Sequence, residues 1–154
     1  MTTTGFFELK SPQDLVKKVR HDIARLRANP IDSYAAFDFF VTARHVPDWL
    51  FPRDKSKVAD IFKSHVELRI CRHLGDGAKH LQATRSTHKQ VQDTHRTSDT
   101  WGGSWGKSWG SSWGTNDLTI TLDPQDADTV ALGPSVRAID LAEKVLTILE
   151  GIVL

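Results

Sequence analysis

One cysteine in 154 residues, Cys71, rules out a disulfide within the chain. A lone thiol inside a helical pattern reads as a small buried hydrophobe, and it suits a reducing compartment. No apolar run approaches the roughly 20 residues needed to cross a bilayer. The opening stretch "MTTTGFFELK" lacks the basic region and apolar core of a secretion signal. A cytoplasmic protein with no membrane partner is therefore expected. CxxC, HExxH, GxGxxG, Walker and GxSxG patterns are all missing, and the "GDG" at 75–77 is too short for a phosphate loop. These absences predict no cofactor and no metal site. Cations are scarce in one region too: Lys107 is the one basic residue between 97 and 136.

Charge is present but unevenly placed. The net charge is +1, yet residues 53–96 carry ten Lys/Arg against five Asp/Glu, and residues 97–154 carry three against eight. Five of the seven His also fall within 53–96. A basic, His-rich middle and an acidic final third attract each other within one fold. The basic segment is also the place where RNA would bind.

Apolar spacing gives mostly helices. "SPQDLVKKVRHDIARLRANP" has Ser11 as N-cap, Pro12 at the first helical position, Asp14 to close a capping box, and Asn29-Pro30 as a stop. Leu15, Val19, Ile23 and Leu26 form its stripe. Helices are expected at about 12–28, 32–46, 55–74, 78–89 and 135–151. Asp32 and Ser135 are the expected N-caps of the second and last. Pro47 is the expected end of the second, with "PDWLFP" forming a corner over Trp49 and Phe51. The helical pattern after Lys55 allows a break near His65, and "GDG" is read as an interruption. Between about 91 and 132 the pattern changes. "LTITL" alternates Leu118, Ile120 and Leu122 with Thr, as a half-buried strand does, "VQDTHRT" is its candidate partner, and "TVAL" a further short strand. The fold class is mainly α: a single domain over 1–154, a helical bundle with a Trp/Gly/Ser-rich β-hairpin arm inserted before the C-terminal helix.

"WGGSWGKSWGSSWG", residues 101–114, is the least ordinary segment. Its five Gly would each cost a helix about 1 kcal/mol relative to Ala. With a period of two, Trp101, Trp105, Trp109 and Trp113 fall on one face together with Gly103, Lys107 and Ser111, and the other face is wholly Gly and Ser. Tight W-G-x-S turns are the alternative. Each Trp can bury about 150–250 Å², so the row needs a cover. The chain's own helices, a second copy or another protein, and stacked bases or sugars are the candidates. Bases are the weakest of these, because stacking rows normally sit among cations.

His73, His80, His88 and His95 recur at spacings of 7, 8 and 7, which matches no ligand spacing for a metal. Arg72, His73, Lys79 and His80 could supply a proton-moving group and a cation for phosphodiester cleavage; a solvated helix face is the plainer reading.

"YAAFDFFVTARHVPDWL" followed by "LRICRHLGDGAKH" resembles a group of small bacterial and phage proteins. These pair an aromatic "FFVTA-H-DW" helix with a later "LANGAKH"-like segment. The resemblance covers about residues 12–80. Such proteins are similar to HEPN-type helical bundles, many of which cleave RNA in toxin–antitoxin and anti-phage systems. It implies a prokaryotic helical bundle in a defence or mobile-element setting. The active site of those enzymes is an Arg followed by a His after four to six intervening residues. Arg69 to His73 has three between, and Arg72 to His80 has seven. The catalytic motif is therefore not carried over. The expected function is a non-catalytic binding or assembly protein. Trp101, Trp105, Trp109 and Trp113 would mediate oligomerisation or engage a protein partner. The alternative is a metal-independent ribonuclease using Arg72, His73, Lys79 and His80.

Overall fold

The computed structural model describes residues 5–80, 88–97 and 117–154. Five α-helices and a small antiparallel sheet make up the described fold, with the sheet ahead of the last helix. The mainly helical class with a hairpin is what the sequence pattern predicts.

Helix α1 spans Pro12–Ala28. Its start is the expected capping box: the Asp14 N–H donates to Ser11 Oγ at 3.1 Å, and the Ser11 hydroxyl donates to Asp14 Oδ2 at 2.7 Å. Helix α2 spans Ser33–Leu50, and the Asp32 carboxylate accepts from the N–H groups of Tyr34 and Ala35. The helix does not stop at Pro47. It runs on through it by one turn, until the Phe51 N–H closes on the Pro47 carbonyl at 3.1 Å. Proline loses one helical hydrogen bond, and here the continued turn brings Trp49 against the core.

The expected helix over 55–74 is two helices, α3 (Lys55–Ser64) and α4 (Val66–His80), hinged at an extended His65. Arg69 explains how the break is tolerated. Its guanidinium donates to the carbonyls of Phe62 and Lys63 at 2.9 and 2.7 Å, at the end of α3, where the Phe62 carbonyl also accepts the His65 N–H. The expected interruption at 75–77 is absent, because α4 continues through "GDG". A separate helix over 78–89 is not formed in its described parts: 78–80 belong to α4 and 88–89 are not helical, while 81–87 lie outside the described residues.

Strand β1 (Val91–Thr97) pairs antiparallel with β2 (Asp117–Leu122), from Thr97↔Asp117 to Val91↔Leu122. Gln92 is an extra residue that shifts the register. Strand β3 (Ser135–Arg137) pairs with β2 on its other side, giving the order β1-β2-β3. Ser135 is therefore a strand residue opposite Thr121 and not the N-cap of the last helix. That helix, α5, spans Ala138–Val153, and Arg137 at its N-cap makes no side-chain cap. "TVAL" contributes a 3-10 turn at Val130–Leu132 and not a strand.

The core lies among α1, α2, α4 and α5. Val19, Ile23 and Leu26 from α1, Phe39 and Val46 from α2, Leu68 and Ile70 from α4, and Leu141, Val145 and Leu149 from α5 are all buried. Full burial of side chains this size contributes about 1.5–3 kcal/mol each. Ile120 and Leu122 carry the inner face of the sheet into the same cluster, as the alternation in "LTITL" requires. Among the described residues, no helix is long and apolar enough to cross a membrane.

Candidate functional site

The site begins with a glycine. At Gly75 on α4 a β-carbon would stand 2.9 Å from Arg44 Cβ and 3.1 Å from the Phe40 carbonyl oxygen. The missing side chain lets α4 lie directly on α2, and so sets Asp76 against Arg44. Arg44 Nε donates to Asp76 Oδ1 at 2.7 Å, and Arg44 Nη1 donates to Asp48 Oδ2 at 3.0 Å, one turn along α2. The other Asp76 oxygen accepts from His88 Nε2 at 2.8 Å. The Arg44 and Asp76 side chains are only 15% and 13% exposed, and that of His88 only 3%.

Opposing influences act on Asp76. Burial pushes its pKa up, but the Arg44 hydrogen bond and charge and the His88 contact push it down further, so it ends below its ordinary value. An ionised Asp76 can only accept, which fixes the proton on His88 Nε2. His88 Nδ1 is then buried with no hydrogen-bond partner among the described residues. His73 stands beside it, with ring centroids 5.2 Å apart. The Val91 N–H donates to His73 Nδ1 at 3.2 Å, tying the first residue of β1 to α4. Burial and the neighbouring His88 push the His73 pKa down to about 4, so His73 is neutral near pH 7. Asp48 is also held below its ordinary value, first by its hydrogen bond with His45 and further by the Arg44 charge.

An open cleft of about 960 Å³ runs past this cluster, with Arg72, His88 and Lys89 on one side and Asp123, Asp126 and Asp128 on the other. Arg69 crosses between the sides, with Nη2 3.0 Å from Asp128 Oδ2. The basic middle and the acidic final third of the sequence therefore do meet. Arg72 lies over the Phe62 ring at 4.5 Å, and Arg44 faces the same ring at 5.7 Å.

Of the four residues named for RNA cleavage, Arg72 and His73 reach this region. Lys79 and His80 sit exposed in the last turn of α4. The arrangement adds Arg44, Asp76 and His88 instead. In the sequence "GDG" reads as a break, and no local pattern joins these three residues. Cys71 is buried, its thiol faces the Phe40 carbonyl at 3.7 Å, and burial pushes its pKa up to about 12. Among the described residues, no three His, Cys, Asp or Glu side chains gather as metal ligands.

The second region is the hairpin. Gln92 to Thr97 are all exposed, and along β2 the fully buried positions, Ile120 and Leu122, lie at the end farther from Asp117. At that open end the Asp117 N–H donates to Thr97 Oγ1 at 3.2 Å, and the Thr97 hydroxyl donates back to the Asp117 carbonyl at 3.1 Å. Trp101, Trp105, Trp109 and Trp113 belong to the segment joining these two residues and lie outside the described residues. Set against protein-family models, curated proteins and solved structures, the chain matches none of them.

Proposed function

We propose that this chain is a binding and assembly module, a helical bundle that carries a Trp-rich segment on a hairpin for self-association or for a protein partner. The supporting observation is the Thr97–Asp117 clamp. It holds both ends of the Trp-bearing segment together, at the end of the hairpin remote from the buried Ile120 and Leu122. A row of four Trp on a Gly/Ser backbone gains most when a partner surface covers it. Its resemblance to bundles of defence systems supports a prokaryotic phage-defence or mobile-element setting. Light scattering over a concentration series tests the reading with the wild-type chain and a variant carrying Ser at 101, 105, 109 and 113. The expected result is loss of the assembled species with unchanged helical circular dichroism. Melting of the helices in that variant would make the Trp row part of the core and overturn the reading.

A second reading, metal-independent cleavage of RNA, draws support from the Asp76–His88 pair at a cleft that also holds Arg72 and Lys89. A carboxylate that orients a buried imidazole is the arrangement of a general acid–base group. Single-stranded RNA and tRNA left intact by the wild-type chain in chelator would remove this reading. Cleavage abolished by His88→Ala but kept by His80→Ala would establish it.

A further inference from the structure

We infer that β1 is a pairing edge for a second copy of this chain, joined antiparallel about a two-fold axis at Thr94. The inference rests on the self-association form of the proposed function and names its contact. In the order β1-β2-β3 the outer side of β1 has no neighbouring strand among the described residues. The Leu122 N–H donates to the Pro134 carbonyl, on the β3 side, and the Asp123 N–H donates to the Gln90 carbonyl, on the β1 side. Backbone groups alternate in direction along a strand. Thr121, Thr119 and Asp117 therefore face β1, and their partners Asp93, His95 and Thr97 face β2. Thr94 and Arg96 turn their N–H and C=O groups to the open edge. An unpaired row of this kind is a template for another strand. No proline or lysine guards it, since β1 reads VQDTHRT.

The Asp93 and His95 side chains select the partner and the register. Asp93 and His95 share the outer face of β1, with Asp93 Oδ2 3.6 Å from His95 Nδ1. An antiparallel two-fold at Thr94 sets each Thr94 against its own copy, with both backbones facing outward, as a hydrogen-bonded pair requires. It sets Asp93 against the partner's His95 and His95 against the partner's Asp93, in the closer, non-hydrogen-bonded positions. Arg96 falls opposite the partner's Gln92. Moving the axis to Asp93 would oppose two carboxylates, and moving it to His95 would oppose two imidazoles. Only the Thr94 axis sets a carboxylate acceptor against an imidazole in both halves, and complementary polar pairs across a ladder stabilise it. The bulge at Gln92 lies at the end of β1 beside the bundle, so Asp93, Thr94 and His95 supply the regular pairing and Arg96 meets the bulged Gln92 of the partner subunit. The strand alone buries little surface, so the dimer dissociates on dilution and leaves the Trp segment to strengthen it.

The test is sedimentation velocity over a concentration series on the full-length chain and three variants. Thr94→Pro removes an outward N–H while leaving the β2 ladder its bonds. His95→Asp sets a carboxylate against Asp93 of the partner subunit, at both symmetric positions. Each is expected to weaken the dimer about tenfold or more. The double variant Asp93→His with His95→Asp exchanges the carboxylate and the imidazole and is expected to restore the dimer to near the wild-type dissociation constant. Circular dichroism and thermal melting check that each chain is folded. If Thr94→Pro misfolds, the two charge variants decide alone. Failure of the double variant to restore association overturns the register. A wild-type chain that is monomeric at every concentration, or edge variants that associate normally, overturns the inference. The Ser-for-Trp variant separates the two claims: association that depends on Trp but not on the edge leaves the proposed function standing without β1. Association that depends on the edge but not on Trp does the reverse.

Discussion

Gly75 packs against Arg44 so closely that a methyl group on Gly75 would come within 2.9 Å of Arg44 Cβ. The same methyl would sit 3.1 Å from the Phe40 carbonyl oxygen, which belongs to the backbone and cannot swing away. Gly75→Ala should therefore destabilise the fold by about 1–3 kcal/mol through overpacking, more than the gain in helix propensity returns. Around Gly77, two residues on in the same helix, nothing beyond the adjoining helix backbone stands within 4 Å of its would-be β-carbon among the described residues. Gly77→Ala should stabilise by up to about 1 kcal/mol. Urea midpoints of the two variants, moving in opposite directions from wild type, are the expected outcome. Two shifts of the same sign would contradict this packing of α4 on α2.

The His73 pKa leads to a pH prediction. Folding moves it from 6.5 down to about 4. The unfolded chain therefore binds more protons than the folded one between these values, and stability rises with pH across that window. The contribution is complete above about pH 6.5 and is lost as the pH falls towards 4. Asp76 adds to the loss lower down, because its pKa is also below its ordinary value and its stabilisation disappears as it protonates. His73→Gln should flatten the slope between pH 6.5 and 4 and leave the acid limb in place. Asp76→Asn should flatten the acid limb. Denaturant melts at half-unit pH steps separate the two effects.

Asp76→Asn should also cost stability near neutral pH, because it leaves a mostly buried Arg44 short of a charged partner. Loss of one partner from such a pair costs about 3–5 kcal/mol when burial is complete. Asp48, 3.0 Å from Arg44 Nη1, stays in place and limits the loss to the lower part of that range. Asp48→Asn alone should cost far less, since Asp48 is half exposed and Arg44 keeps Asp76. A double-mutant cycle on Asp48 and Asp76 is expected to show coupling, because both carboxylates serve one guanidinium.

What was legible in the sequence follows the range of the signals. Helix α1 could be read end to end because Ser11, Pro12, Asp14 and Asn29-Pro30 act within a few residues of themselves. Alternation marks "LTITL" as a strand, and "VQDTHRT" is its candidate partner from its place on the other side of the Trp segment. Ser135 misled because serine before an apolar run looks like a cap, whereas β2 claims it as a strand residue. The "GDG" misled for the same reason: glycine breaks an isolated helix, but here α2 needs the space at Gly75. The Arg44–Asp76–His88 chain had no local signature. Its members lie 32 and 12 residues apart and meet only through that helix contact.

Ser11 offers the most local of the tests. Its Oγ accepts the Asp14 N–H, and its hydroxyl donates to the Asp14 carboxylate, which also accepts the Lys10 N–H at 3.2 Å. The Ser11 hydrogen bond is the first cause holding the Asp14 pKa below its ordinary value. Ser11→Ala removes the cap of α1 at both ends of the box, because Asp14 loses its partner as well. The expected cost is about 1 kcal/mol, read as a lower thermal midpoint. Asp14→Ala keeps the Ser11 acceptor for the N–H of residue 14 and should cost less. Ser11→Asp restores an acceptor at the N-cap and should recover much of the loss, although it brings a second carboxylate close to Asp14. If all three variants melt with the wild type, the start of α1 frays without consequence, and the stability of the helix rests on Leu15, Val19, Ile23 and Leu26 alone.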